Sequence, residues 1–402
     1  MDITIHSHIL RGDITIIPSK SQAHRLLICS AFADKPTHLH CPETNRDIEA
    51  TADCLRALGA QINRTESGYS VFPIAKIPAQ AVLNCCESGS TLRFMLPVAG
   101  ALGVDATFLM EGRLPQRPLS PLWEEMERMG CHLSRPTAYT IRCTGKLQPG
   151  DYSIDGSVSS QYITGLLLAL SLLDSESHLS VTGKVESKPY IELTKQAITC
   201  FGVDPEHPGA KRFHSPGYIT VEGDWSNGAF FLAADALSGG KSTCSYLTVH
   251  GLNDASAQGD RAVMDILPQL LKGDATVSAA DIPDLVPVLS IVAACNHGAV
   301  FTDIRRLRLK ESDRVASVVA MIQALGGKTD GTEDTLTIHG TGLIGGVVDA
   351  VNDHRIAMSA AVAAIACKED VTILGAECVK KSYPRFWEEY SRLGGKYEQY
   401  LR

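Results

Sequence analysis

Two periodicities run through this chain. Residues 1–16 alternate apolar and polar positions in the manner of a strand, and Pro18 ends that pattern. An apolar helix is then predicted through Leu26, Leu27, Ile28 and Ala31, and further apolar runs predict buried helices over 163–173, 226–237, 285–294, 315–325 and 356–365. Six helix-like stretches stop at a glycine: Gly59, Gly130, Gly202, a weaker case at Gly273, then Gly326 and Gly394. A glycine suits the left-handed position just past a helix end. Most of these stops lie roughly 70 residues apart, with one shorter gap before Gly326, which reads as a repeated α/β unit rather than chance. The period is long for a solenoid, so the expectation is two globular lobes of three units each. The boundary falls near Glu222–Asp224, where the strand-like Tyr218–Val221 gives way to a helix. The first strand could join either lobe.

With 402 residues, two domains are the better reading than one. The net charge of −8 and the absence of a basic stripe argue against nucleic-acid or membrane-surface binding, so any anion site must be built locally. The N-terminus lacks the apolar core of a signal peptide. The longest apolar runs, near 163–173 and 357–367, fall short of the ~18 residues a membrane span needs. The twelve cysteines form no CxxC pair, which fits free thiols in a reducing cytoplasm. Cys295 and His297 have no neighbours to complete a tetrahedral site, so no metal is expected. Two motifs are decoys. Gly340–Gly345 fits GxGxxG, but the residues after it read as a strand where a dinucleotide site needs a helix. Asp235–Ser242 resembles a phosphate loop, yet it lacks the first glycine and follows a helix.

The polar residues that carry chemistry gather just before apolar helices. In Pro18–Arg25 (PSKSQAHR), Ser19 or Ser21 can cap a helix whose first turns hold Lys20 and Arg25, cations that oppose the helix dipole unless an anion binds there. Glu87–Arg93 (ESGSTLR) repeats the pattern with a glycine and Arg93. Gly112–Pro118 holds two arginines, Arg113 and Arg117, in a proline-stiffened loop. Ser159, Ser160 and Gln161 lead into one helix, and Ser187, Lys188 and Tyr190 into another. In the second half, Asp284, the cluster Lys310–Arg314 (KESDR), Asn352–Arg355 (NDHR) and Lys380–Pro384 stand in the same place. If Ser312 caps its helix, Lys310 and Glu311 lie just outside it and Arg314 in its first turn. An earlier helix start would make Lys310 and Arg314 like charges four residues apart; both versions call for a negative partner.

These segments, in this order and essentially end to end, resemble the 5-enolpyruvylshikimate-3-phosphate synthase (3-phosphoshikimate 1-carboxyvinyltransferase) family. KESDR together with NDHR and SSQ is the specific combination. The resemblance implies an α/β fold (α+β by some schemes) of two lobes, each of three βαβαββ repeats with helices inside and sheets outside, and an active site in the cleft between lobes. It implies an N-terminal lobe over 18–222, mainly for shikimate 3-phosphate, and a C-terminal lobe over 223–402 joined by strand 1–17. The implied reaction moves the enolpyruvyl group of phosphoenolpyruvate to the 5-hydroxyl of shikimate 3-phosphate, through a tetrahedral ketal, with release of phosphate. That step belongs to the chorismate and aromatic amino-acid pathway, in the cytoplasm. No cofactor takes part, and the partners are these two small molecules, with no nucleic acid, no membrane and a monomeric chain.

By the same resemblance, Lys20, Ser21, Arg25, Ser159, Ser160, Gln161, Ser187, Tyr190, Asp284 and Lys310 hold shikimate 3-phosphate. Lys20, Gly89, Arg113, Gln161, Arg314, Arg355 and Lys381 hold phosphoenolpyruvate, with Arg93 and His354 in support. Asp284, Glu311 and Lys20 are the candidate proton carriers: Asp284 as base at the hydroxyl, Glu311 at the enol methylene. The residue types suit the task, since like charges ~4 Å apart cost about 4 kcal/mol at an effective dielectric near 20, and several cations must offset two phosphates and two carboxylates. Glu87, Ser90, Thr91 and Arg306 depart from the family's commoner residues. The related UDP-N-acetylglucosamine enolpyruvyl transferases carry Lys-Asn near their start and usually a loop cysteine. This chain has Lys20-Ser21 and no cysteine in Gly112–Pro118. An inactive anion-binding relative is the rival of another class.

Overall fold

Four sheets share one plan, a parallel pair of strands extended by two antiparallel ones. In the computed structural model, which describes residues 1–209, 212–239, 246–273 and 275–400, the first such sheet runs Tyr218–Thr220, Thr37–His40, Gly68–Phe72, Gln61–Thr65. The second runs Gln80–Asn84, Asp105–Leu109, Thr140–Gly145, Cys131–Thr137. The third runs Ala275–Ser278, Gly298–Thr302, Thr335–His339, Lys328–Gly331. The fourth runs Gly346–Asp349, Val371–Leu374, Asp2–Ile5, Tyr397–Tyr400. Two further parallel pairs, Asp151–Asp155 with His178–Thr182 and Gly12–Thr15 with Leu247–His250, give the same start without the extension. Parallel neighbours need a crossover. Helices Gly89–Leu102 and Ser160–Leu170 supply two of them.

The chain divides into two compact units, Met1–Ile17 with Gly223–Arg402, and Pro18–Glu222. The N-terminal strand joins the first of these: Ile3 faces Ile373 on one side and Gln399 on the other. Each unit has its own apolar core. Helices Ser160–Leu170, Val286–Cys295 and His354–Ala363 are apolar nearly all round and buried along almost their whole length, which marks them as interior elements. Several strands bury every second residue, as Tyr152 and Ile154 do between exposed neighbours in Asp151–Asp155, so those strands turn one face inward and one outward.

Five of the six helix-stopping glycines, Gly59, Gly130, Gly202, Gly326 and Gly394, adopt positive φ. Gly273 does not: it caps helix Val263–Lys272 in extended backbone, φ 172°, so the weakest stop in the sequence is also the one that ends its helix differently. Gly340–Gly345 is followed by strand Gly346–Asp349, with no helix to receive a pyrophosphate. Of the other decoy, Asp235–Gly239 close helix Trp225–Gly239, and residues 240–242 lie outside the described residues. Among the described residues no helix is long and apolar enough to cross a membrane, and no group of three or more histidine, cysteine, aspartate or glutamate side chains could hold a metal ion. The described cysteines are free.

Candidate active site

In the unit Pro18–Glu222, helix Lys20–Ala31 begins at Ser19, whose Oγ accepts from the Gln22 amide at 3.4 Å. Lys20 is therefore the first helical residue, where a cation opposes the dipole. Part of that conflict is met within the protein, because Lys20 Nζ lies 3.0 Å from Asp47 Oδ2. Asp47 is a partner that the sequence reading did not find. Arg25, one turn on, is different. It is 2% exposed and donates to Thr194 Oγ1 at 2.8 Å, Thr164 Oγ1 at 3.1 Å, the Tyr190 carbonyl at 2.9 Å and the Ser21 carbonyl. No carboxylate among the described residues bonds to it. Burial lowers its pKa to about 10. A buried cation held only by neutral oxygens is an anion site in waiting, since an unpaired buried charge is costly.

Helix Gly89–Leu102 begins at Ser88, which accepts from the Thr91 amide at 3.2 Å. Two guanidinium groups cover Gly89: a Cβ there would lie 2.5 Å from Arg117 Nη1 and 2.6 Å from Arg93 Nη1. A side chain there would have to push both guanidinium groups aside. Arg93 also donates to Gln161 Oε1 at 2.9 Å, and Gln161 Nε2 donates to Ser90 Oγ at 3.0 Å. These bonds join the ESGSTLR segment to the helix that Ser159 caps, Ser160–Leu170. Of the two arginines in Gly112–Pro118, Arg117 reaches Gly89, whereas Arg113 is exposed in this structure. Glu87 packs on Gly112, so its carboxylate is turned to that loop. Ser187 is buried with φ 55°, a conformation rare for a residue with a side chain, and it precedes helix Lys188–Cys200, which carries the half-buried Tyr190.

In the other unit, a 3-10 turn over Arg305–Leu309 leads into Lys310 and Glu311. Asp313 caps helix Arg314–Ala324, accepting from the Ala316 amide at 3.1 Å. Ser312, one of the two helix starts weighed from the sequence, instead donates its hydroxyl to Asp353 Oδ2 at 3.0 Å. Arg314 is 0% exposed and meets three carboxylates: Asp284 at 2.6 Å, Glu311 at 2.7 Å and Asp353 at 3.2 Å. Arg355, the second residue of helix His354–Ala363, holds the other oxygen of Asp284 at 2.8 Å. Burial alone would raise the Asp284 pKa, but Arg355, Lys310 and Arg314 together hold it well below the usual carboxylate range. Burial likewise works against Asp353, and Arg314 and His354 outweigh it. Asp353 also caps its own helix, accepting from the Arg355 amide at 3.0 Å, which locks the two arginine-bearing helices to one carboxylate.

Lys310 is half-buried, and burial lowers its pKa to about 8. Lys381 donates to the Asn352 carbonyl at 3.0 Å, beside the two positive-φ residues Val351 and Asn352. His354 is buried at the first turn, and Arg306 is half-buried. Asp260, which the sequence reading also missed, is buried and accepts from the Ser226 hydroxyl. Burial and the charge of Asp284 raise its pKa to about 7. Asp284, Glu311, Lys310, Arg314 and Arg355 thus stand together in one unit. Lys20, Arg25, Gly89, Arg93 and Gln161 occupy linked junctions of the other.

Comparisons with known proteins place the chain in a family. The family model of EPSP synthase (3-phosphoshikimate 1-carboxyvinyltransferase) matches residues 6–390. The 3-phosphoshikimate 1-carboxyvinyltransferase of Clostridium kluyveri is 36% identical, over 99% of this chain and 98% of its own length. That of Clostridium beijerinckii is also 36% identical, over 99% of each. An EPSP synthase structure from Acinetobacter baumannii superposes with a TM-score of 0.80 at 23% identity, covering 99% of this chain and 100% of its own. The enolpyruvyl transferase NikO from Streptomyces tendae shares the fold at 0.73 and 17%, covering 99% and 98%. By the length and identity of these matches, the chain belongs to the EPSP synthase (3-phosphoshikimate 1-carboxyvinyltransferase) family.

Proposed function

We propose that this protein transfers the enolpyruvyl group of phosphoenolpyruvate to the 5-hydroxyl of shikimate 3-phosphate, releasing phosphate, and that its two sets of charged residues serve that one reaction. The observation that carries the residue assignment is the contrast between Arg25, buried without a carboxylate, and Arg314, buried among three. Arg25, with Ser21, Ser159, Ser160, Gln161, Ser187, Tyr190 and Lys310, takes the shikimate 3-phosphate. A phosphate on Arg25 forms charge-assisted hydrogen bonds without displacing any protein anion.

Phosphoenolpyruvate is the partner for Lys20, Gly89, Arg113, Gln161, Arg314, Arg355 and Lys381, with Arg117, Arg93 and His354 in support. Its anionic groups replace carboxylates on Arg314 and Arg355. Asp284, released from both guanidinium groups, regains basicity at the moment the acceptor hydroxyl is present. It then takes the hydroxyl proton, while Glu311 delivers a proton to the enol methylene and makes the adjacent carbon electrophilic. Attack forms the ketal. Lys20 neutralises the departing phosphate, and return of a methyl proton to Glu311 restores the enol ether. Phosphate release measured on mixing both substrates tests this reading. Neither substrate alone should suffice, and UDP-N-acetylglucosamine should not replace shikimate 3-phosphate. Turnover with the nucleotide sugar would overturn it.

A further inference from the structure

A chain of hydrogen bonds runs through the core behind the Lys20 and Gly89 helix starts. His24 Nδ1 lies 2.7 Å from Thr51 Oγ1, Thr51 Oγ1 lies 2.8 Å from Thr91 Oγ1, and Thr91 Oγ1 donates to Ser88 Oγ at 2.8 Å and towards the Asp47 carbonyl at 3.3 Å. His24, Thr51 and Thr91 are each 0% exposed, and Ser88 is 1% exposed. The three elements involved are helix Lys20–Ala31, helix Arg46–Ala57 and helix Gly89–Leu102. The ends of the chain matter. His24 sits one turn behind Lys20, Asp47 holds the Lys20 ammonium, and Ser88 caps the helix that starts at Gly89.

The bonds have a direction. A threonine hydroxyl has one proton. Thr91 gives its proton to Ser88, at 2.8 Å the nearer of its two acceptors, and the assignment consistent with that has it accept from Thr51. Thr51 has then spent its own and must accept from His24, which therefore carries its proton on Nδ1. Nothing accepts from Nε2 among the described residues, which disfavours a second proton there. Burial, with Lys20 and Arg25 nearby, also keeps the imidazole neutral. Thr51 and Thr91 each have partners on both sides, and buried hydroxyl chains of this kind favour a single packing of the elements they join. Apolar residues of the same size would fill the space without fixing the relative register of the helices.

We propose that His24, Thr51 and Thr91 are positioning residues, a directed relay that holds the Lys20 ammonium and the Gly89 helix start in the arrangement that receives phosphoenolpyruvate. The proposal rests on the function given above, and its test separates the two. Thr91→Val keeps the shape and removes the link. It is expected to raise KM for phosphoenolpyruvate about fivefold, on the scale of one neutral hydrogen bond, with KM for shikimate 3-phosphate within about twofold. Thr91→Ser should recover most of the loss. Histidine nitrogen NMR reads the relay whatever the substrates, with the His24 signal identified by its absence in His24→Gln. The wild type should show the Nδ1–H tautomer, the minority form of a free imidazole side chain. Thr91→Val should shift it towards Nε2–H. A wild-type Nε2–H tautomer, or a tautomer shift without a change in phosphoenolpyruvate KM, overturns the proposal. So does an equal rise in both KM values with a lowered melting temperature, the mark of a merely structural role. A wild type that binds both substrates without turnover sinks the proposed function alone, and the relay is then judged on phosphoenolpyruvate affinity in the same variants.

Discussion

The two units hold buried arginine in opposite ways. Arg25 sits among hydroxyls and carbonyls, so its charge is unneutralised before any ligand arrives. Arg314 sits among Asp284, Glu311 and Asp353, with a fully buried charge already satisfied. The first arrangement sacrifices stability for a ready-made anion site. The second keeps the ligand-free unit stable, and on the proposed assignment a substrate must compete with the protein's own carboxylates. In the proposed mechanism that competition changes the chemistry of Asp284, a poor base while two arginines grip it and a better one once a substrate draws them away. A buried cation is thus informative less by its presence than by what neutralises it.

The sharpest break in this comparison comes from Asp284→Ala, which should lower kcat by about 10²–10⁴-fold with KM values within about threefold, read by phosphate release. A loss confined to KM would reduce Asp284 to a binding residue. Next in size, Arg25→Met should raise KM for shikimate 3-phosphate about 10- to 100-fold and leave that for phosphoenolpyruvate nearly unchanged, as expected for losing charge-assisted hydrogen bonds. Lys310, with its pKa lowered to about 8, gives a smaller, pH-dependent effect. It is charged below that pH and neutral above it, so KM for shikimate 3-phosphate should rise several-fold from pH 7 to pH 9. Lys310→Arg should remove the rise.

Asp260 gives the smallest effect, on stability. Its folded pKa of about 7 exceeds the ordinary carboxyl value, so the folded form binds a proton that the unfolded form releases, and stability falls as pH climbs from about 4 to about 7. Asp260→Asn should raise the melting temperature by a few degrees at pH 8 and by less at pH 5.

The junctions were legible in the sequence because small polar and charged residues stand directly before apolar runs, and each such segment does begin a helix or lie just ahead of one. Their partners were not legible. Lys20 finds Asp47 and Arg314 finds Asp353 across the fold, and no local pattern encodes which distant carboxylate a packed helix will present. Ser312 and Asp313 are both good caps, and the choice fell to Asp313 because Ser312 is taken by Asp353. Arg117 rather than Arg113 covers Gly89, a distinction set by how the 3-10 turn Leu114–Gln116 rotates the loop between them. The N-terminal strand alternates as expected, but alternation does not say which sheet it joins. The relay through Thr51 and Thr91 joins three helices far apart in sequence and leaves no local trace.

Thermal unfolding of Arg25→Met and Arg314→Met, each with and without shikimate 3-phosphate, bears most directly on the contrast between the two arginines. Arg25→Met should melt within a few degrees of the wild type and lose the rise in melting temperature that shikimate 3-phosphate gives it, because no protein carboxylate is stranded. Arg314→Met should lose about 3–5 kcal/mol without ligand, since three carboxylates are left facing an apolar side chain. Should Arg25→Met collapse while Arg314→Met stays intact, or should Arg25→Met keep the full ligand-induced rise, the assignment of the two charges would be wrong.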